Sequence, residues 1–134
     1  MSSHPDHTLS AVSPVRLLAA AGGLRLAFSL DAVEAVVMPG SVVAVPGGQP
    51  WLRGLTVCRG RLHTLLDAGL LFGGGPALAG GFIVLKGLGI DVALAVDDLP
   101  RRLPEGESAD LELDLATLSA HPAFQPGAAI RGAA

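Results

Sequence analysis

The segment "GGLRLAFSL", residues 22–30, alternates apolar side chains with polar or small ones. Its leucines and Phe28 fall on one face of an extended chain, and Arg25 and Ser29 fall on the other. A period of two predicts a half-buried β-strand, and the glycine pair before it predicts a hairpin with the preceding apolar run. Eighteen glycines and ten prolines in 134 residues indicate many turns, so the sequence predicts an all-β fold of short strands.

Other short apolar runs predict the remaining strands. They lie at 33–37, 42–45, 55–58 and 61–65, and a second hairpin is predicted over 82–96. The segment "LLDAGLLF" after them predicts a helical turn. The side chains predicted to be buried are those of Leu24, Leu26, Phe28, Leu30, Val57, Leu62, Val92, Leu94 and Val96.

The two predicted hairpins resemble copies of one another. One constant shift along the chain places Gly23 on Gly89 and Asp31 on Asp97, and it aligns the alternating apolar residues. Such self-similarity predicts two small β-units packed face to face. The second unit is predicted to be incomplete, because little chain remains after its hairpin. Two alignments of its end stay open: "FQPGAAIRG" on "WLRGLTVCRG", or "LELDLATL" on "HTLLDAGLL".

A single domain is predicted, with a polar lead-in and a short tail. Residues 1–13 predict the loosely ordered lead-in, residues 14–121 the domain, and residues 122–134 a turn-rich tail. The glycine-rich segment "GGGPALAGG", residues 73–81, is the predicted boundary between the two units.

Composition and charge exclude several classes of protein. Nine basic against twelve acidic residues give a net charge of −3, so there is no global attraction to nucleic acid or to an anionic membrane. Direct membrane insertion and secretion are not predicted, and a cytoplasmic location is expected. The histidines are scattered and the cysteine is single, so no metal or other cofactor is predicted. No catalytic motif indicates an enzyme.

The segment "WLRGLTVCRGRLHTLLDAGLLFG", residues 51–73, concentrates the distinctive residues. It holds the only tryptophan, the only cysteine and three arginines. Arginine offers a planar fork of donors that suits a partner's carboxylates and carbonyls, and Arg and Trp often dominate interface energetics. Spacing alone favours a simpler interpretation, in which Arg59 ties down its own turn, for instance to Asp67, and Trp51 fills a barrel.

The same segment resembles the signature of CheW-like domains. The residues that match it, in order, are Pro50, Trp51, Gly54, Arg59, Gly60, Leu66 and Asp67. The segments "LAFSLDAVEAVVMPGSVVAVP" and "FIVLKGLGIDVALAVDDL" are similar to the family's strand pairs, so the resemblance covers about residues 15–103. It implies two small SH3-like β-barrels packed together and an adaptor without enzymatic activity. The implied partners are a histidine kinase regulatory domain and chemoreceptor-like proteins, in chemotaxis or twitching motility.

The resemblance also implies a partner-binding surface. The residues assigned to it are Val33, Val36, Leu52, Arg53, Gly54, Arg59, Gly60 and Asp67. Arg59 is predicted to be its centre, projecting from a bend. One residue departs from the family pattern: Ala35 stands where members often carry Glu, and Glu34 lies one place early. On a strand, a slip of one residue points a side chain to the opposite face.

Two function classes remain open at this point. The first is the kinase-and-receptor adaptor. The second is an SH3-like barrel that serves ligand binding or dimerisation and has lost the signalling surface. In either class, an incomplete second unit leaves strand edges and apolar surface uncovered, which predicts self-association or dependence on a partner.

Overall fold

Turns rich in glycine divide the chain into short strands. The structure, a computed structural model, describes residues 15–125, so the predicted lead-in lies outside the described residues. The strands are β1 (Arg16–Ala21), β2 (Leu24–Ser29), β3 (Val33–Val37), β4 (Val42–Val43), β5 (Leu52–Cys58), β6 (Arg61–Asp67), β7 (Gly81–Leu85), β8 (Val92–Val96), β9 (Arg101–Leu103) and β10 (Leu111–Leu113). The helices are α1 (Ala68–Leu71) and α2 (Leu115–Ala120), and 3₁₀ turns lie at Leu30–Ala32 and Pro122–Phe124.

The strands form two sheets. One has the order β10-β2-β1-β9, and the other has the order β3-β7-β8-β6-β5-β4. The fold is therefore mostly β, which confirms the predicted class. Within residues 15–125 the paired strands leave both sheets open at their edges. The larger sheet is strongly curled. Glu34 on β3 and Arg59 next to β5 approach to 3.8 Å, although three strands lie between β3 and β5.

Each sheet is built on one of the two predicted hairpins and is completed by strands from the other half of the chain. Hairpin β1–β2 is joined by β9 and β10, and hairpin β7–β8 is joined by β3 and β6. The added strands correspond: β3 and β9 pair antiparallel with the first hairpin strand, while β6 and β10 pair parallel with the second. The two units therefore exchange strands around a shared centre.

The correspondence continues beyond β6 and β10. An aspartate stands at the last position of β6 and directly after β10, and its side chain accepts a hydrogen bond from a backbone N–H of the short helix that follows: Asp67 caps α1 and Asp114 caps α2. A side-chain oxygen at this position satisfies an amide that the first helical turn leaves unpaired. The structure thus favours the alignment of "LELDLATL" on "HTLLDAGLL", whereas most of "FQPGAAIRG" lies outside the described residues.

Within residues 15–125, the second unit has no strands that correspond to β4 and β5. Strand β10 therefore lies at a sheet edge, whereas β6 is followed outward by β5 and β4. The loop 104–110 is tied to the smaller sheet. Arg16 donates to the carbonyl of Glu107 at 2.8 Å, and the backbone N–H of Arg25 donates to the Asp110 carboxylate at 2.8 Å. The opposite edge, β9, carries the exposed Arg101 and Arg102, and such charges discourage edge-to-edge pairing.

The main core fills the space between the two sheets. Because side chains alternate between the two faces of a strand, Leu26 and Phe28 of β2 and three side chains of β8 all pack into this core. The predicted burial of these side chains is confirmed, whereas Leu24 and Leu30, for which burial is also predicted, are only half-buried. The other face of β7 and β8 packs into a second cluster, whose members are Cys58, Leu65, Phe82, Val84, Ala93 and Ala95. Burial raises the pKa of the Cys58 thiol.

The prediction that Val57 and Leu62 are buried is wrong. They are 63% and 58% exposed and lie directly opposite each other on β5 and β6. The inner positions are taken by Thr56, Cys58 and His63 instead. These polar groups are satisfied locally, since the Thr56 hydroxyl donates to the carbonyl of Ser41 at 2.7 Å. The apolar pair faces outward at the free end of the hairpin.

The glycine-rich segment packs closely against its surroundings. The backbone N–H of Gly75 donates to the Gly22 carbonyl at 2.9 Å. A Cβ at Gly22 or Gly69 would collide with the Gly75 carbonyl, so only glycine allows these backbones to meet. The larger sheet contains strands from both sides of residues 73–81, and the boundary between the two units at this segment stays a prediction. Of the predicted tail, residues 122–125 are described, and Ala123 and Phe124 join the main core.

Candidate protein-interaction surface

The turn between β5 and β6 consists of Arg59 and Gly60. Both have positive φ, 53° and 80°, as a type I′ hairpin turn requires. Glycine adopts this conformation freely, but arginine does so uncommonly. The Arg59 side chain is 56% exposed. It therefore projects from the bend into solvent and does not fill the core.

Glu34 is the acidic partner of Arg59. Its carboxylate lies 3.8 Å from the Arg59 guanidinium, and both side chains are largely exposed. The pairing of β3 with β7 shifts register between Val33 and Ala35, which is a β-bulge at Glu34. A bulge inserts one extra residue and redirects a side chain. The side chain that stands one place early in the sequence, Glu34, lies at this irregularity.

Arg53 and Asp67 form an internal ion pair. The Nε and Nη2 atoms of Arg53 donate to one Asp67 oxygen at 3.0 and 2.8 Å. Asp67 is 2% exposed and also accepts from the backbone N–H groups of Leu70 and Ala77. Arg53 donates in addition to the Ala77 carbonyl. These bonds join β5, α1 and the glycine-rich segment, and Asp67 contacts Arg53 instead of Arg59.

The other predicted surface residues differ in exposure. Gly54 is buried at φ 142°, and a Cβ there would collide with the Val43 carbonyl, so its role is to let β4 approach β5. Leu52 and Val33 are half-buried and pack on the main core. Val36 is exposed on β3. Of the eight predicted residues, Val36, Arg59 and Gly60 are thus open to a partner in this structure.

The outer face of β4, β5 and β6 at the hairpin end is apolar. Register places Val43 beside Leu55, and Val57 beside Leu62, on this one face. Val43, Val57 and Leu62 are each more than half exposed. We call these four residues the tip face. Arg59 stands at its end, in the turn that joins Val57 to Leu62.

Sequence reasoning missed the tip face because both sides of this hairpin carry apolar residues. Cys58 and Leu65 point inward, while Val57 and Leu62 point outward. Periodicity cannot assign the buried side when both sides are apolar. Polarity did not help either, because Thr56 and His63, which pair across the strands, take the inner side although both are polar.

These features are typical of a protein that binds other proteins. Within residues 15–125, two sheets share one core, and an apolar face with an arginine at its end is exposed. Among residues 15–125, no three His, Cys, Asp or Glu side chains gather as metal ligands. No helix in the described chain is long and apolar enough to cross a membrane. An exposed apolar patch beside charged residues is the usual mark of a protein–protein contact.

Comparison with known proteins identifies the family. The model of the CheW-like domain matches residues 16–130, and the chain belongs to this family, which consists of non-enzymatic scaffold domains. The crystal structure of the scaffolding protein TtCheW from Thermoanaerobacter tengcongensis is similar, with a TM-score of 0.58 and 19% sequence identity. The likeness covers 76% of this chain and 66% of that chain. A search of curated proteins found no match.

Proposed function

We propose that the protein is a cytoplasmic adaptor that couples a chemotaxis-type histidine kinase to chemoreceptor-like proteins or to a twitching-motility system. Membership of the CheW-like scaffold family supports this proposal. The chain matches about two thirds of the TtCheW structure, so the partner surfaces are argued from this chain's own residues. In this role the protein binds other proteins and catalyses no reaction.

The main support for the proposal from this chain's own residues is the exposure of the tip face. Exposing three large aliphatic side chains together is unfavourable in water, at about 25 cal/mol for each Å² of apolar surface. A partner that covers the tip face recovers this free energy. Arg59 adds a charged, multi-donor group at the edge of the apolar face, and arginine is enriched where interfaces have their strongest contacts. Val36 on β3 offers a second, separate apolar contact.

Binding of the kinase regulatory domain tests the proposal. Val57→Asp places a charge in the centre of the tip face without touching the core, and we expect it to abolish detectable binding in isothermal titration calorimetry. Leu78→Asp is the matched control, because Leu78 is the more exposed at 81% and lies on the loop before β7, outside the tip face. Equal binding by both variants would show that the tip face is not the kinase contact.

A further inference from the structure

A cleft of about 310 Å³ opens next to the Glu34–Arg59 pair. Its polar lining comes from Glu34 on β3, Arg61 on β6, and Lys86 and Asp91 on the loop between β7 and β8. Leu85 and Ile90 supply the apolar part of the lining. Because Glu34 both lines the cleft and pairs with Arg59, the cleft is continuous with the proposed partner surface.

Lys86 is the one cation of this cleft without an acidic partner in the described chain. Arg61 donates to both Asp91 oxygens, at 2.8 and 2.9 Å, and Glu34 is paired with Arg59. Within residues 15–125, no ion pair or side-chain hydrogen bond involves the Lys86 ammonium. Both acids of the cleft are therefore engaged. With Arg59 counted, three cations meet two acids, and one positive charge is left over.

The position of Lys86 is fixed by its backbone. Its N–H donates to the Ala32 carbonyl at 2.9 Å, directly after β7 ends. Gly87 and Gly89 follow with positive φ of 81° and 77°. Gly87 lies against Leu115 of α2, whereas nothing stands within 4 Å of a Cβ placed on Gly89. One side of the loop is thus held by the fold, and the other side is accessible to a partner.

We infer that the cleft receives a carboxylate side chain, Asp or Glu, from the partner that covers the tip face. The carboxylate pairs with the Lys86 ammonium, and its methylene groups rest on Leu85 and Ile90. A charge pair at the margin of an apolar contact sets orientation and selects partners more than it adds affinity. This inference rests on the proposed function, and it adds the chemistry by which an acidic residue of the partner is recognised.

Titration of the kinase regulatory domain with three variants tests the inference. Lys86→Glu is expected to weaken binding about tenfold at low ionic strength, and the loss should shrink in high salt. Lys86→Arg keeps the charge and should bind within about twofold of the unmodified protein. Arg101→Glu is the control, since Arg101 is also exposed but lies on β9 of the other sheet. Replacing the partner's acidic residue by lysine should restore binding to Lys86→Glu.

The outcomes separate the inference from the proposed function. If Lys86→Glu binds normally while Val57→Asp does not, the cleft is unused and the inference is overturned, but the adaptor role stands. If Lys86→Arg binds the regulatory domain as weakly as Lys86→Glu does, the shape of the side chain and not its charge determines binding, and the inference is also overturned. If the unmodified protein does not bind the regulatory domain, the proposed function and the inference fail together.

Discussion

The Nη2 atom of Arg53 lies 2.8 Å from the buried carboxylate of Asp67, and this contact separates the roles of two arginines in one hairpin. Arg53 joins β5 to the cap of α1 and to the glycine-rich segment. Arg59 follows the end of the same strand. Within residues 15–125 it forms one ion pair, with the exposed Glu34. One arginine therefore stabilises the fold, and the other is available to a partner.

Removing Arg53 should destabilise the protein. Arg53→Ala leaves the Asp67 carboxylate buried without its cation, and breaking a fully buried pair costs about 3–5 kcal/mol. Because Arg53 is nearly one third exposed and Asp67 keeps its backbone donors, we expect a smaller loss, about 2 kcal/mol. Urea unfolding measures it. An Arg53→Ala protein as stable as the unmodified one would show that the pair does not hold this junction.

Gly54 and Gly60 provide a matched test of backbone crowding. Both have positive φ, but a Cβ meets the Val43 carbonyl only at Gly54. Gly60→Ala should cost about 1 kcal/mol for the left-handed conformation alone. Gly54→Ala should cost clearly more and should increase amide hydrogen exchange in β4. Similar losses for the two variants would exclude the close approach of β4 to Gly54.

Stability should decrease below about neutral pH because of His121. Its Nδ1 accepts the Ala123 N–H at 3.1 Å, and its ring packs edge-on against Phe72 and Phe124. Burial lowers the pKa of His121 below its ordinary value of 6.5, although a hydrogen bond to the Leu71 backbone opposes this. The unfolded chain therefore binds the proton more readily than the folded chain does. The contribution of neutral His121 to the free energy of unfolding is complete above about pH 6.5 and declines as the pH falls.

His121→Asn tests this assignment, because asparagine can still accept the Ala123 N–H but does not titrate in this range. Urea unfolding from pH 8 to pH 5 should show a smaller decline for the variant than for the unmodified protein. Identical pH profiles would exclude His121 as the titrating group.

The uncovered tip face predicts self-association when no partner is present. Leu62→Asp should shift the sedimentation equilibrium toward monomer without lowering the melting temperature, because Leu62 is mostly exposed. Leu78→Asp should leave the equilibrium unchanged. A protein that is monomeric at high concentration without any substitution would contradict this prediction.

Local patterns predicted the hairpins but not the exchange of strands between them. The alternation around Phe28 and Leu94 is a property of a few neighbouring residues, and both side chains are buried as expected. The parallel pairing of Leu66 with Leu94 joins distant parts of the chain, and a period-two pattern carries no information about which strand lies alongside. The similar ends of the two units, each with an Asp at a helix start, were the available clue.

The candidate site was predictable only in part, for a related reason. The turn at Arg59 and Gly60 follows from a local motif, whereas the side on which Val57 lies is set by the pairing of β5 with β6. Likewise, nothing local to Arg53 indicates that its partner is Asp67 on the next strand. Exposure and pairing are tertiary properties, so they required the structure.

The most direct test of the account is charge reversal at Arg59. Arg59→Glu should leave the melting temperature nearly unchanged, as for surface substitutions within about 0.5 kcal/mol, because the contact with Glu34 is exposed and 3.8 Å long. Arg59→Gln controls for repulsion from Glu34. Binding of the kinase regulatory domain to Arg59→Glu should weaken by about 2–5 kcal/mol, the usual loss for a paired interface charge. An Arg59→Glu protein that unfolds, or that stays folded and binds as tightly as before, would contradict the account.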